Sequence, residues 1–189
     1  QAAISTLPGN PVVASGHGTT TTDDDSTITT NQTSTTMFDA TSTNPDTGDF
    51  TFGQISWGYF SNPTTFVGTG GTVTSPLVLA LNGTAGSVIK VEIVNTAGDK
   101  KTFNVVLAAG QQNYTFDLTG FTQPLAMINF VSDQQGVVNY TVETKGLAYT
   151  PTAPASAYNQ AAISTLPGNP VVASGHGSTS GDDDSTITT

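Results

Sequence analysis

Carboxylates are the residues of this chain whose types and spacing suggest chemistry, and that chemistry is cation binding. In the segment NPDTGD, Asp46 and Asp49 bracket a glycine turn just before a predicted strand. Calcium takes about six to eight oxygen ligands, and a shaped loop can supply several of them. Asp46 and Asp49 are therefore candidate ligands of a structural calcium ion, and an ordinary Asx-type turn is the alternative interpretation.

Two runs of three aspartates, at residues 23–25 and 182–184, hold the densest negative charge of the chain. Calcium loops of the EF-hand type place carboxylates at alternate positions followed by glycine, which neither run does. A solvated acidic tract is the preferred interpretation of both runs. Apart from the candidate calcium, the sequence gives no reason to expect a cofactor.

The two histidines, His17 and His176, occupy equivalent positions in two copies of the tripeptide GHG. A histidine that acts as a general base needs a nucleophile and an orienting acid, and the sequence assigns neither. The chain also lacks the G-x-S-x-G pattern of serine hydrolases. We therefore expect no enzymatic activity and name no catalytic residue.

Charge and composition restrict the partners of the chain. Its 189 residues include 14 acidic residues and 4 basic ones, all lysine, which gives a net charge of -10. Nucleic acid phosphates and anionic lipid surfaces would repel such a chain. Only 10% of the residues are charged, small polar residues replace them, and cysteine is absent. This composition favours β structure without disulfides and is typical of an extracellular or cell-surface protein.

A long internal repeat is the most informative feature of the sequence, because residues 160–189 repeat residues 1–30. Identity extends to 27 of the 30 positions. The pairs that differ are Thr19/Ser178, Thr21/Ser180 and Thr22/Gly181. The offset of 159 residues is too long for one solenoid coil and fits an array of whole domains. A short linker duplicated once in a two-part protein is the alternative.

The repeat suggests three parts along the chain. We expect an extended arm and Thr/Asp-rich linker over residues 1–36, a folded domain over residues 37–150, and a Pro/Ala spacer with the start of a next repeat over residues 151–189. A disordered tether has no reason to keep its apolar residues identical, so the arm should pair with a sheet edge or lie in a groove of a domain. The predicted contacts between repeats are Ile4, Leu7, Val12, Val13, Ile163, Leu166, Val171 and Val172.

The folded domain shows the pattern of many short strands. Its aromatic and branched apolar residues come in short runs separated by Gly and Asn turns. Residues 89–93 alternate between apolar and charged side chains, which indicates a strand with one buried face. Residues 76–82 are apolar on both faces, as in a strand at the middle of a sandwich. The predicted fold class is all-β, an antiparallel β-sandwich (jelly roll) with extended N- and C-terminal arms.

Residues 87–147 contain SVIKVEIVNTAGDKKTFNVV, then YTFDLTGF and LAMINFVSD, and end in a last strand. This succession resembles the galactose-binding-like jelly rolls that are common among carbohydrate-binding modules and in large surface proteins. Sugar-binding members of that fold stack sugars on aromatic rings, and related jelly rolls hold a structural calcium before the first strand. The resemblance implies that Trp57 and Tyr59, which share one strand face, form a platform for a sugar ring; core packing is the alternative.

Four Asn-X-Thr triplets are candidate sites of N-linked glycosylation in a secreted protein. A chain this rich in threonine and asparagine also forms such triplets by chance. The candidate asparagines are Asn31, Asn82, Asn113 and Asn139.

These features favour a structural role over catalysis. We expect the repeat unit of a secreted or cell-surface fibre, filament or giant surface protein, whose jelly-roll domains are linked by ordered arms. Its partners would be neighbouring copies of itself, with no nucleic acid and no membrane insertion. The alternative is a carbohydrate-binding, adhesive module placed in tandem for avidity, with polysaccharide as its partner.

Overall fold

The protein is an antiparallel β-sandwich, which confirms the predicted fold class. The computed structural model describes residues 12–20, 24–33, 37–62, 65–68, 70–73, 75–144 and 149–151. All regular structure in these ranges is β-strand. Within the same ranges, no helix has the length and apolar character needed to cross a membrane.

The first layer is a seven-stranded sheet. Its strands are β1 (Val12–Thr19), β4 (Asp49–Ser56), β7 (Gly71–Val73), β9 (Val88–Asn95), β10 (Lys100–Val106), β12 (Leu125–Ser132) and β14 (Tyr149–Pro151). They run in the order β1-β4-β12-β7-β14, and β9 also pairs with β12 and carries β10 on its other side. β1 is therefore an edge strand, and among the described strands its backbone pairs only with β4.

The second layer is a five-stranded sheet. Its strands are β2 (Thr27–Gln32), β3 (Met37–Asn44), β8 (Leu77–Gly83), β11 (Gln112–Phe116) and β13 (Gly136–Glu143), in the order β11-β8-β13-β3-β2. The strands β5 (Gly58–Asn62) and β6 (Thr65–Gly68) pair in a separate hairpin. The two edge strands of this second sheet are β11 and β2, and β2 is the next strand in the chain after β1.

The core lies between the two sheets and follows from alternation along the strands. In β9, Ile89, Val91 and Ile93 are fully buried, while Lys90 and Glu92 lie on the outer face, as predicted. The same alternation buries Tyr140 and its neighbours at alternate positions of β13. Each large apolar side chain that is fully buried contributes about 1.5–3 kcal/mol to folding. The chain needs no disulfide to close this core, since it has no cysteine.

Tyr140 crosses the sandwich and binds the backbone of the opposite sheet. Its hydroxyl donates to the Phe130 carbonyl oxygen at 3.0 Å and accepts from the Gly53 backbone N–H at 3.0 Å. Glycine at position 53 makes room, because an added Cβ would lie 2.7 Å from the Tyr140 hydroxyl oxygen. Burial raises the pKa of Tyr140 above its usual value, so the hydroxyl keeps its proton.

The strand β8 differs from its prediction. Leu77, Leu79 and Leu81 are buried, but Val78 is 41% exposed. The strand lies inside the five-stranded sheet and has one buried and one open face, so the prediction of a strand buried on both faces is wrong. Val78 is tolerated on this outer face because β-branched residues suit a pleated surface.

The folded domain begins earlier than the residue 37 expected from the sequence. β1 and β2 both precede that boundary, and each forms an edge of one sheet. Val13 of β1 pairs with Ile55 and is fully buried in the core. Residues 12–14 thus pair with a sheet edge as expected, but the edge belongs to their own sandwich, of which the segment is an integral part.

Candidate functional site

A cleft of about 680 Å³ lies on the outer face of the seven-stranded sheet. Its floor comes from alternate positions of β4, β12 and β9, because the intervening side chains point into the core. The register sets the floor residues in two transverse rows, namely Phe52, Val131 and Lys90 in one and Gln54, Asn129 and Glu92 in the other. Phe50, the next outward-facing residue of β4, extends the floor beyond the row of Phe52 towards the β3–β4 turn.

The two phenylalanines of β4 face positions without side chains on the neighbouring strand. Gly18 of β1 pairs with Phe50, and Gly16 pairs with Phe52. Since glycine has no side chain, the paired positions on β1 place no side chain next to either ring. Both phenylalanines are half-buried and line the cleft, so each offers apolar ring surface to a ligand.

Charges within the cleft pair with one another. Lys100 donates to the Glu92 carboxylate at 2.8 Å, and Lys90 forms an ion pair with Asp133. The Asn129 side-chain amide also donates to Glu92, at 3.4 Å. These two positive and two negative groups pair with each other, Asp49 adds a third carboxylate to the lining, and Glu92 is held in place by Lys100 and Asn129. Because the lysines of the lining are already paired, a neutral ligand that both donates and accepts hydrogen bonds fits this surface better than a phosphate.

A cluster of three carboxylates lies near the end of the cleft. Asp25, Asp46 and Asp49 each bring a carboxylate oxygen to within 4.8 Å of the other two. Asp49 is fully buried; its Oδ2 accepts from the Asp46 backbone N–H at 3.3 Å, and its Oδ1 has no hydrogen-bond partner. Oxygens bound to one calcium ion stand at most about 5 Å apart, so the spacing fits a shared cation.

The aspartate run at residues 23–25 is more than the solvated tract expected from the sequence. Asp24 lies 3.0 Å from the His17 ring nitrogen Nδ1, and its side chain is only 7% exposed. Asp25 joins Asp46 and Asp49, because the β1–β2 connection approaches the β3–β4 turn. The sequence does not predict this contact, because only the sheet topology brings the two segments together.

The predicted sugar platform at Trp57 is wrong. Trp57 is fully buried and belongs to the main hydrophobic core, which is the alternative considered from the sequence. A buried ring cannot stack on a sugar. Tyr59 lies in β5, and its side chain is outside the described part of the structure.

The predicted inter-repeat residues are only partly described. Val12 and Val13 lie in β1, where they pair with Ser56 and Ile55 of the same chain. Contacts between repeats therefore stay a prediction. The remaining residues of that prediction lie outside the described ranges: Ile4, Leu7, Ile163, Leu166, Val171 and Val172.

The candidate glycosylation sites are accessible to different degrees. Asn31, Asn113 and Asn139 are exposed, and Asn82 is half-buried. The Asn139 side-chain oxygen accepts a hydrogen bond from the Thr41 hydroxyl at 2.8 Å. Glycosylation of these residues stays a prediction.

Comparison with known proteins finds similarity in solved structures alone. No protein-family model and no curated protein matches the chain. A mutant of a family 29 carbohydrate-binding module is 13% identical with a TM-score of 0.43, and the match covers 69% of this chain and 81% of that one. A family 29 module complexed with mannohexaose is 11% identical with a TM-score of 0.42, over 76% and 93% of the two chains.

An exo-β-agarase is 10% identical with a TM-score of 0.41, and the match covers 70% of this chain and 23% of that enzyme. At these identities the likeness concerns the fold alone, so the ligand contacts of those proteins are not transferred to this chain.

Proposed function

We propose that the chain is a non-catalytic carbohydrate-binding module whose ligand lies in the cleft on the outer face of the seven-stranded sheet. The observation that carries this proposal is the combination, in one cleft, of Phe50 and Phe52 with the amides of Gln54 and Asn129. A sugar ring has an apolar C–H face and a rim of hydroxyls, so it needs both kinds of contact. The cleft volume also lies within the range of about 300–1,000 Å³ that is common for ligand sites.

The ligand class follows from the charge balance of the cleft. Because Lys90 and Lys100 are paired with Asp133 and Glu92, an acidic sugar would have to compete with those carboxylates for the lysines. A neutral polysaccharide avoids that cost. An extracellular or cell-surface location, which the composition favours, is part of this proposal.

Binding to a panel of neutral polysaccharides, followed by calorimetry with the best oligosaccharide, tests the proposal. Phe52→Ala should weaken binding at least tenfold, which is about 1.4 kcal/mol, because it removes one ring from the floor. Val137→Ala is the control, since Val137 is 55% exposed on the five-stranded sheet. Absence of binding in the wild type, or equal affinities of the two variants, would contradict the proposal.

We further propose that Asp25, Asp46 and Asp49 bind a structural calcium ion. Three clustered carboxylates repel one another unless a cation lies between them. The described lysines cannot supply that charge, because Lys90 and Lys100 pair within the cleft and Lys101 donates to the Asp117 carbonyl oxygen. A calcium ion would also give the buried Oδ1 of Asp49 a partner, and it would join the β1–β2 connection to the β3–β4 turn.

Thermal unfolding with calcium and with a chelator tests this site. Calcium should raise the Tm of the wild type and leave Asp49→Asn unchanged, since that variant loses a ligand charge. Asp117→Asn is the control, because Asp117 is exposed and its contacts are with Thr119 and Lys101. A calcium response that persists in Asp49→Asn, or that is missing in the wild type, rules the site out.

A second candidate function is the structural one, a repeat unit of a secreted or cell-surface fibre whose partners are copies of itself. The observation that favours it is the recurrence of the β1–β2 segment at residues 160–189, with 27 of 30 positions identical. Electron microscopy of the concentrated protein tests it. Filaments with a regular spacing support the structural role, and dispersed monomers at every concentration argue against it.

A further inference from the structure

We propose that the second copy of the repeated segment, residues 171–189, can take the place of β1 and β2 in the sandwich. These residues are called the filling segment below, and the place that β1 and β2 occupy is called the edge position. The chain then carries two interchangeable segments for one edge position. This inference is independent of the proposed sugar binding and of the proposed calcium ion.

The edge position is an essential part of the fold. β1 closes the open ladder of β4, and β2 closes the open ladder of β3, so one continuous segment covers an edge of both sheets. Val13 is fully buried, and Ser26, between the two strands, is 1% exposed. A sandwich without this segment exposes two strand edges and part of its core, and exposed edges recruit strands.

The filling segment matches β1 and the first four residues of β2 almost residue for residue, and the last two residues of β2, Asn31 and Gln32, have no counterpart in residues 171–189. The structure describes 16 positions of the first copy, in residues 12–20 and 24–30, and 15 of these are identical in the second copy. The single difference is Ser178 in place of Thr19, the half-buried last residue of β1. Loss of one methyl group there leaves the strand pairing intact.

The buried side chain and the polar pair that fix β1 recur in the second copy. Val172 corresponds to the buried Val13. His176 and Asp183 correspond to the pair His17 and Asp24, whose atoms Nδ1 and Oδ1 lie 3.0 Å apart. The filling segment therefore brings the same buried side chain and the same polar contact to the edge position.

Chain length permits the exchange within one molecule. Residues 152–170 separate the end of β14 from the filling segment, and nineteen extended residues span roughly 60 Å. β9 pairs with β12 over residues 125–131, so β7 lies on the same side of β12 as β4, and β14 and β1 are the next strands beyond β7 and β4 on that side. The filling segment can therefore reach the edge position of its own sandwich or that of a second molecule.

Three variants of the full chain test the proposal through thermal unfolding. Val13→Asp places a charge in the core, so it should displace the first copy from the edge position. Val172→Asp should likewise prevent the second copy from occupying that position. Each single variant should keep a cooperative transition within about 5 °C of the wild type, because the other copy fills the edge position, whereas the double variant should lose it. A Val13→Asp variant that is as unstable as the double variant overturns the proposal, and so does a double variant that is as stable as the single ones.

A cross-link gives a readout that does not depend on stability. Ala14 pairs with Gln54, and its counterpart in the filling segment is Ala173. The chain has no cysteine, so in the Val13→Asp background the pair Ala173→Cys and Gln54→Cys should form a disulfide on oxidation. A cross-linked monomer or a cross-linked dimer supports the proposal, and absence of the cross-link overturns it. Ala14→Cys with Gln54→Cys in the otherwise unchanged chain is the positive control.

Discussion

Removing the hydroxyl of Tyr140 tests whether hydrogen bonds across the sandwich stabilise this fold. Tyr140→Phe keeps the ring and its packing, including the pair with Phe130, whose ring centroid lies 6.4 Å from that of Tyr140. The substitution deletes only the oxygen that joins Tyr140 to the Gly53 N–H and to the Phe130 carbonyl, each at 3.0 Å. No cavity of the size of a side chain is created, so the change isolates the polar contribution.

The expected loss follows from the burial of both partner groups. A buried donor or acceptor left without a partner costs about 1–3 kcal/mol. The Phe130 carbonyl keeps a second lone pair for other partners, so the Gly53 N–H accounts for most of the effect. We expect Tyr140→Phe to lower the free energy of unfolding by about 1–3 kcal/mol, and the Tm by roughly 3–12 °C for a domain of this size.

Urea unfolding followed by circular dichroism measures this loss, and Tyr114→Phe is the matched control. Tyr114 donates its hydroxyl proton to the Val106 carbonyl oxygen at 2.7 Å in an exposed contact, where water can replace it. The control should therefore change stability by less than about 0.5 kcal/mol. Equal losses in the two variants would refute the assignment of the Tyr140 hydroxyl as a buried contact between the sheets.

The remaining predictions concern pH and three glycines. Because burial raises the pKa of Tyr140, stability should be full below the usual tyrosine pKa of about 10 and fall above it by up to about 1.4 kcal/mol per pH unit, a slope that Tyr140→Phe should reduce in alkaline urea titrations. Gly53→Ala should cost about 1–3 kcal/mol in urea unfolding, since its Cβ meets the Tyr140 hydroxyl oxygen at 2.7 Å. Gly70→Ala should lower the Tm more than Gly86→Ala, because both have positive φ but only Gly70 also meets close atoms, with Thr96 Cγ2 at 2.8 Å.

Alternation made the central strands predictable from the sequence. At residues 89–93, apolar and charged side chains differ so strongly that only one face can be buried, and the structure buries that face. β1 and β2 carry no such signal. Val13 is buried, but the residues that follow Ala14 in β1 are small or polar, so the strand shows no repeated alternation of apolar and charged side chains. A linker and an edge strand of this kind look alike in sequence.

The cleft escaped prediction because β4 reverses the usual pattern. Its two phenylalanines, Phe50 and Phe52, face outward, while Thr51 and Gly53 face the core. The inward positions suit small and polar residues because the Tyr140 hydroxyl reaches Gly53 and because the Thr51 hydroxyl donates to the Ser42 hydroxyl oxygen at 2.6 Å. Both partners come from the opposite sheet, so a single strand read alone assigns its aromatic rings to the core. The small residues on the other face of DFTFGQ are the signal that could have revealed the cleft.

The repeated segment links the edge position to the cleft, and this link gives a last prediction. Gly16 pairs with Phe52 and leaves its ring open, and the second copy has Gly175 at the equivalent position. A sandwich completed by the filling segment should therefore bind the same oligosaccharide as the wild type, within about a factor of two, which is roughly 0.4 kcal/mol.

The substitution Gly175→Val tells whether the second copy then borders the cleft. In the unchanged chain it should leave the affinity as it is, because Gly16 lies beside Phe52. In the Val13→Asp background it should weaken binding, because the filling segment then places a branched side chain next to that ring. The same affinity for Gly175→Val in both backgrounds, in a protein that binds the oligosaccharide, would show that the second copy never lies beside Phe52, whatever the first copy does.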